Sequence, residues 1–140
     1  MLQDGNLIQS NHSPRVLYIE DHDDTRELVT LVLEQRCVEV ITGSTIETGI
    51  ELANSQSFDL YLLDSWLPDG SGLELCRKIR EFDSATPILF YSAAAYEIDR
   101  AQAIKCGAQA YLIKPSQPSE LCNLVCSMIE SHRRAFKVNV

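Results

Sequence analysis

Five short apolar runs recur along the chain, and each is followed by a stretch in which apolar residues return every third or fourth position. Val16-Leu-Tyr-Ile19 is stopped by Glu20-Asp21-His-Asp-Asp24, so it predicts a buried strand that delivers carboxylates to its C-terminal end. A helix follows, with Asp23 or Asp24 as its cap and Leu28, Leu31 and Val32 as its apolar side. Val38 to Thr42 predicts a second strand. Ser44 then caps a helix whose Ile46, Gly49, Ile50 and Ala53 share one face.

Phe58 to Leu63 predicts a third strand that ends in Asp64 and the loop Leu67-Pro-Asp-Gly-Ser-Gly72. Leu75, Cys76, Ile79 and Phe82 mark the inner side of the helix after it. Pro87 to Ser92 is a fourth strand, and Ala93 to Lys105 a helix of small residues with a stripe through Ile98, Ala101 and Ile104. Gly107 stops that helix, Ala110 to Ile113 is a fifth strand, and Lys114-Pro115 breaks it. Leu121, Leu124, Val125, Met128 and Ile129 define a last helix, with Arg133, Arg134 and Lys137 near its end, where the helix dipole favours cations. Strand and helix alternate five times with unbroken apolar strands, which implies an α/β fold: a (βα)5 doubly wound, five-stranded parallel sheet covered on both faces.

Composition narrows the setting. With 140 residues and 45% hydrophobic content the chain suffices for one domain with a sizeable core. A net charge of -8 argues against binding nucleic acid or anionic lipid through the overall field. The five cysteines are odd in number and scattered, with no CxxC and no histidine at ligand spacing, which fits free thiols in a reducing compartment. No run approaches the roughly 18 apolar residues of a membrane span. Met1 to Pro14 lacks the pattern of a signal peptide, so the expected location is the cytoplasm. The division expected is a flexible extension over residues 1–13, a domain over 14–135 and a tail over 136–140.

Strand ends carry the chemistry. Glu20 and Asp21 follow the first strand, Asp64 the third, Ser92 the fourth and Lys114 the fifth, all on one edge of the predicted sheet. Each has a plainer role available: Asp64 as a turn cap, Ser92 as a strand-end cap, Lys114 as a solvated lysine, Glu20 and Asp21 as partners of a helix dipole. Together they are unfavourable unless a cation joins them, and an oxygen-only set that leaves room for water suits Mg²⁺ better than zinc. A carboxylate beside Mg²⁺ can accept a phosphoryl group, with Lys114 and Ser92 as donors to its oxygens.

In order and spacing this set resembles the receiver domain of two-component response regulators, of the stand-alone single-domain type. The matching pieces are Glu20-Asp21, Asp64 with Leu67-Pro68 and Gly72, Ser92, and Tyr111-Leu-Ile-Lys114-Pro115. The resemblance implies a flavodoxin-like sheet in the strand order 2-1-3-4-5 and a cis Lys114-Pro115 bond. It implies that Asp64 is the phosphoacceptor, that Glu20, Asp21, Asp64 and the backbone carbonyl of Trp66 hold Mg²⁺, and that Lys114 contacts the phosphoryl group. Ser92 and Tyr111 would form a switch that reshapes the surface of the fourth helix, fifth strand and fifth helix. The implied partners are a sensor histidine kinase or histidine phosphotransfer protein and a downstream target protein, with no direct nucleic acid and no membrane.

Two departures bear on this. Where the family usually has two aspartates the chain has Glu20-Asp21, one methylene longer at the first, which bears on the geometry of Mg²⁺ binding; and Trp66 is bulky two residues past Asp64, which predicts slow self-dephosphorylation. The competing readings are a receiver-like interaction module that is never phosphorylated, a flavodoxin-like cofactor binder, and an acyl-phosphate hydrolase. Carboxylates after the first strand disfavour the second, and Trp66 stands where the third would want an aspartate.

Overall fold

Parallel strands buried on both faces need apolar residues at successive positions, and Leu60–Leu63 supplies four in a row with no exposed member. In the computed structural model, which describes residues 12–138, this segment is the middle of the sheet. The strands are β1 (Arg15–Ile19), β2 (Glu39–Gly43), β3 (Leu60–Leu63), β6 (Ile88–Ser92) and β7 (Ala110–Ile113), in the order β2-β1-β3-β6-β7 and all parallel. Two further strands, β4 (Trp66–Leu67) and β5 (Gly70–Ser71), pair only with each other, so the sheet order is the expected 2-1-3-4-5.

The helices are α1 (Asp23–Glu34), α2 (Ile46–Ser55), α3 (Gly72–Phe82), α4 (Glu97–Lys105) and α5 (Pro118–Val138). Alternate strand residues point to opposite faces, which divides the core in two. Leu17, Ile19, Tyr61, Leu63, Ile88 and Phe90 pack with α2, α3 and α4. Val16, Tyr18, Leu60, Leu62, Leu89 and Tyr91 pack with α1 and α5. No described helix is long and apolar enough to cross a membrane.

Several expectations change in detail. In α1 the buried residues are Val29 and Leu33, while Leu28 and Leu31 are each 54% exposed. Both sets satisfy helical spacing, and docking on the sheet selects the one turned by a single residue. His22, not Asp23 or Asp24, caps α1 by accepting the Thr25 N–H, and Thr45, not Ser44, caps α2. Helix α4 starts only at Glu97, and the stripe through Ile98, Ala101 and Ile104 faces outward; Ala103 is its buried residue. Phe82 is also exposed, at the end of α3.

Gly107 ends α4 as expected, at φ +117°, a conformation that favours glycine. The backbone of α5 continues past residue 135 to Val138, whereas residues 1–11 and 139–140 lie outside the described ones. The extension expected over residues 1–13 therefore falls almost wholly outside them, as does the end of the expected tail.

Candidate active site

Ladder hydrogen bonds continue one residue beyond β1, β3 and β7, and this brings the strand-end residues together. Ile19 lies opposite Leu63, and Asp64 N–H donates to the Ile19 carbonyl at 3.1 Å, so Glu20 and Asp64 emerge side by side. Ser92 lies opposite Ile113, and Lys114 N–H donates to the Ser92 carbonyl at 2.8 Å. One oxygen each from Glu20, Asp21 and Asp64 falls within 4.8 Å of the other two. Glu20 and Asp64 are buried and Asp21 is exposed, so the cluster opens to solvent on the Asp21 side.

Lys114 reaches into the cluster. Its Nζ donates to Glu20 Oε1 at 2.6 Å and to Asp64 Oδ2 at 3.3 Å, and lies 5.5 Å from the centre of the Tyr91 ring. Burial, followed by repulsion from Glu20, pushes the Asp64 carboxyl above its usual pKa, although Lys114 and the Ser65 N–H pull the other way. For Lys114 burial works against the charge, yet the hydrogen bond to Glu20 and the charges of Asp64 and Glu20 outweigh it and raise its pKa. The lysine therefore stays an ammonium. Three carboxylates, one cation and no sulfur or imidazole ligand form a donor set that suits a hard divalent ion such as Mg²⁺.

The loop after Asp64 is pinned at both ends. β4 and β5 pair Trp66 with Ser71 and Leu67 with Gly70, and the Gly72 N–H donates to the Ser65 carbonyl at 2.7 Å. A Cβ on Gly72 would stand 1.9 Å from the Asp64 carbonyl oxygen, so only glycine lets the start of α3 approach the Asp64 backbone this closely. Asp69 accepts the N–H groups of Ile46 and Glu47 at 2.8 and 3.1 Å, which ties the loop to the N-terminus of α2. Trp66, two residues past Asp64, is 62% exposed.

Ser92 and Tyr111 lie one layer away. Ser92 is fully buried, and its Oγ accepts the Ala94 N–H at 3.1 Å; it makes no hydrogen bond to Asp64. Tyr111 is turned inward: its hydroxyl donates to the Ala94 carbonyl at 2.7 Å and lies 3.5 Å from Ser65 Oγ, while its ring stacks on Phe90 at 5.9 Å. The Lys114-Pro115 bond is cis.

Sequence reasoning missed four participants. In the sequence Asp69 reads only as part of the turn. Ser65 orients Asp64 Oδ1 through a 2.7 Å backbone hydrogen bond, Tyr91 underlies Lys114, and Tyr18 places its hydroxyl 3.3 Å from Glu20 Oε1. For Tyr18 a signal existed: it stands two residues before Glu20 on a strand, hence on the same face.

Comparison with known proteins bears on the family and the fold. The family model described as the response regulator receiver domain matches residues 16–126. The response regulator ArlR of Staphylococcus saprophyticus is 33% identical over 115 residues, 82% of this chain and 52% of that protein. The chain spans about half the length of the curated relatives it matches. A receiver domain protein (CheY-like) from Methanospirillum hungatei superposes with a TM-score of 0.85 at 23% identity, covering 89% of this chain and 99% of that one. The receiver domain of the sensor histidine kinase PA1611 from Pseudomonas aeruginosa superposes at 0.79 with 25% identity, covering 85% of this chain and 99% of that one. That structure carries a magnesium ion coordinated in its active-site cleft.

Proposed function

The chain belongs to the response regulator receiver domain family, and on that premise we propose that Asp64 accepts a phosphoryl group from a phosphohistidine of a sensor histidine kinase or histidine phosphotransfer protein. The single observation that carries the reading is the meeting of Glu20, Asp21 and Asp64 oxygens within 4.8 Å, with Lys114 donating into the same cluster. Glu20, Asp21, Asp64 and the Trp66 carbonyl are the groups that would hold Mg²⁺. Its chemistry there is to neutralise charge on the transferred oxygens.

In the transfer, one Asp64 carboxylate oxygen attacks phosphorus, the P–N bond of the donor imidazole breaks, and the electron pair leaves with the imidazole nitrogen. Lys114, already 3.3 Å from Asp64 Oδ2, turns its ammonium to a phosphoryl oxygen. Ser92 gives up the Ala94 N–H and offers its hydroxyl to another. Because Tyr111 is held to the Ala94 carbonyl, a move of Ser92 and Ala94 is felt on the surface formed by α4, β7 and α5. Phosphorylation thus biases an equilibrium between two arrangements of this surface, where a target protein binds. The body that does this is residues 14–135, acting in the cytoplasm through protein partners and not through nucleic acid or membrane.

Intact mass after incubation with Mg²⁺ and acetyl phosphate tests the reading. One phosphoryl group is expected on the wild type and none on Asp64→Asn; gain by that variant, or no gain by the wild type, sinks it. The second outcome would favour an interaction module that is never phosphorylated, for which the already closed Glu20–Lys114 pair at 2.6 Å is the supporting observation.

Trp66 is the proposed screen between the phosphorylated acceptor and water. Replacing it by asparagine is expected to shorten the phosphoryl lifetime severalfold. An unchanged decay, followed by mass after removal of the donor, would dispose of the screen.

A further inference from the structure

A chain with 20 acidic and 12 basic residues gathers three cations in one groove that no carboxylate lines. Leu73, Arg77 and Arg80 of α3 and Gln102, Lys105 and Cys106 of α4 and its C-cap surround a cavity of about 450 Å³. The steps from Leu73 to Arg77 to Arg80, and from Gln102 to Lys105 and Cys106, are of three or four residues, so each set occupies one side of its helix.

Arg80 is fixed in place. Its Nε and Nη2 donate to the Gly107 carbonyl at 3.1 and 2.8 Å, its Nη1 to the Asp83 carbonyl at 2.9 Å, and its Nη2 also to Gln109 Oε1 at 3.0 Å. The two carbonyls lie just past the ends of α3 and α4, so the guanidinium offsets the negative ends of both helix dipoles. All three acceptors are neutral oxygens, and the charge of this half-buried group stays uncompensated. Arg77 and Lys105 are exposed, and among the described residues none of the three cations pairs with a carboxylate.

We propose that the groove between α3 and α4 binds an organic phosphate of nucleotide size. Guanidinium groups offer a planar fork that matches phosphate oxygens, and Lys105 adds a point charge from the opposite helix. The cavity lies within the ~300–1,000 Å³ of small-molecule sites, far more than a lone phosphate fills. Half-buried Leu73 and Cys106 are left for the apolar faces of the ligand's body, and the Gln102 amide for a polar edge. A ligand held from both sides ties α4, whose buried residue is Ala103, to α3. The inference goes beyond the role of Asp64 and does not depend on it.

Calorimetric titration with ADP in metal-free buffer tests the site, with inorganic pyrophosphate as the probe that lacks an organic body. Without a metal the cluster of Glu20, Asp21 and Asp64 repels phosphate, so the heat reports the groove. Wild type is compared with Arg77→Gln, Lys105→Gln and Lys78→Gln. Lys78 is the exposed neighbour of Arg77 that does not line the groove, so its variant loses the same charge elsewhere on α3.

Wild type is expected to bind ADP with a Kd of about 0.1 mM and to melt at a higher temperature in its presence. Arg77→Gln and Lys105→Gln should each weaken binding about tenfold, and Lys78→Gln less than about twofold. ADP that gives no saturable heat, or that binds all four proteins alike, overturns the inference. So does equal weakening by Lys78→Gln, which would reduce the effect to the overall field. Pyrophosphate that binds as tightly as ADP overturns it too, because the groove would then hold an anion and no organic part. None of these outcomes touches the phosphorylation of Asp64, which the mass measurement decides separately.

Discussion

Aspartates stand at both ends of the same sheet, in opposite circumstances. Where the strands begin, Asp83 accepts the N–H groups of Ala85 and Thr86 at 3.1 and 3.0 Å and the Tyr61 hydroxyl at 2.7 Å. Asp59 accepts the Arg15 N–H at 2.7 Å and pairs with Arg133, and Arg80 binds the carbonyls of Gly107 and Asp83. Burial works against the charge of Asp83, but its hydrogen bonds outweigh burial and leave its pKa below the ordinary value. Where the strands end, Asp64 faces Glu20, and burial and that repulsion raise its pKa. One edge satisfies its charges and closes the fold; the other crowds them, so that stability is given up at the edge where the carboxylates cluster.

The contrast is tested most severely at Gly72. Gly72→Ala drives a Cβ into the Asp64 carbonyl, and a loss of about 3 kcal/mol is expected in urea unfolding. A loss near zero would mean that the loop after Asp64 is softer than the contact implies.

At the opposite edge, Asp83→Ala strands two N–H groups and a phenol hydroxyl, and should cost about 2 kcal/mol. Asp64→Asn should do the reverse: in metal-free buffer at neutral pH it relieves the repulsion with Glu20 and leaves Lys114 its partner, for a gain of about 1 kcal/mol. If Asp64→Asn instead unfolds more easily than wild type, the two edges do not differ in kind.

The smallest effect is the pH dependence, with opposite signs at the two edges. The raised pKa of Asp64 means that the native state favours its protonated form: the penalty is absent below the ordinary carboxylate value of about 3.9 and grows as pH rises through the folded value. The advantage of Asp64→Asn should therefore fade on acidification. The lowered pKa of Asp83 gives stability that is present above the ordinary value and lost as pH falls through the folded one, so the deficit of Asp83→Ala should persist to lower pH before it closes. Melting curves of the three proteins from neutral to acid pH decide this, and parallel curves would abolish the distinction.

The sequence by itself determined the layering and the strand-end residues. An unbroken apolar run can be buried on both faces only inside a parallel sheet, and whatever follows it emerges at the sheet's edge. Glu20, Asp21, Asp64, Ser92 and Lys114 were legible for that reason, and the resemblance in order and spacing added Trp66 and Tyr111. Tertiary structure decided what periodicity leaves degenerate. Leu28, Leu31 and Val32 satisfy helical spacing as well as Val29, Val32 and Leu33 do, and only the fit of α1 against the sheet chooses between them. It also decided which donors reach which carboxylates. Asp69 at the N-terminus of α2 and Lys114 on Glu20 in preference to Asp64 are contacts between residues far apart in the chain, set by distances of tenths of an ångström that no spacing rule encodes.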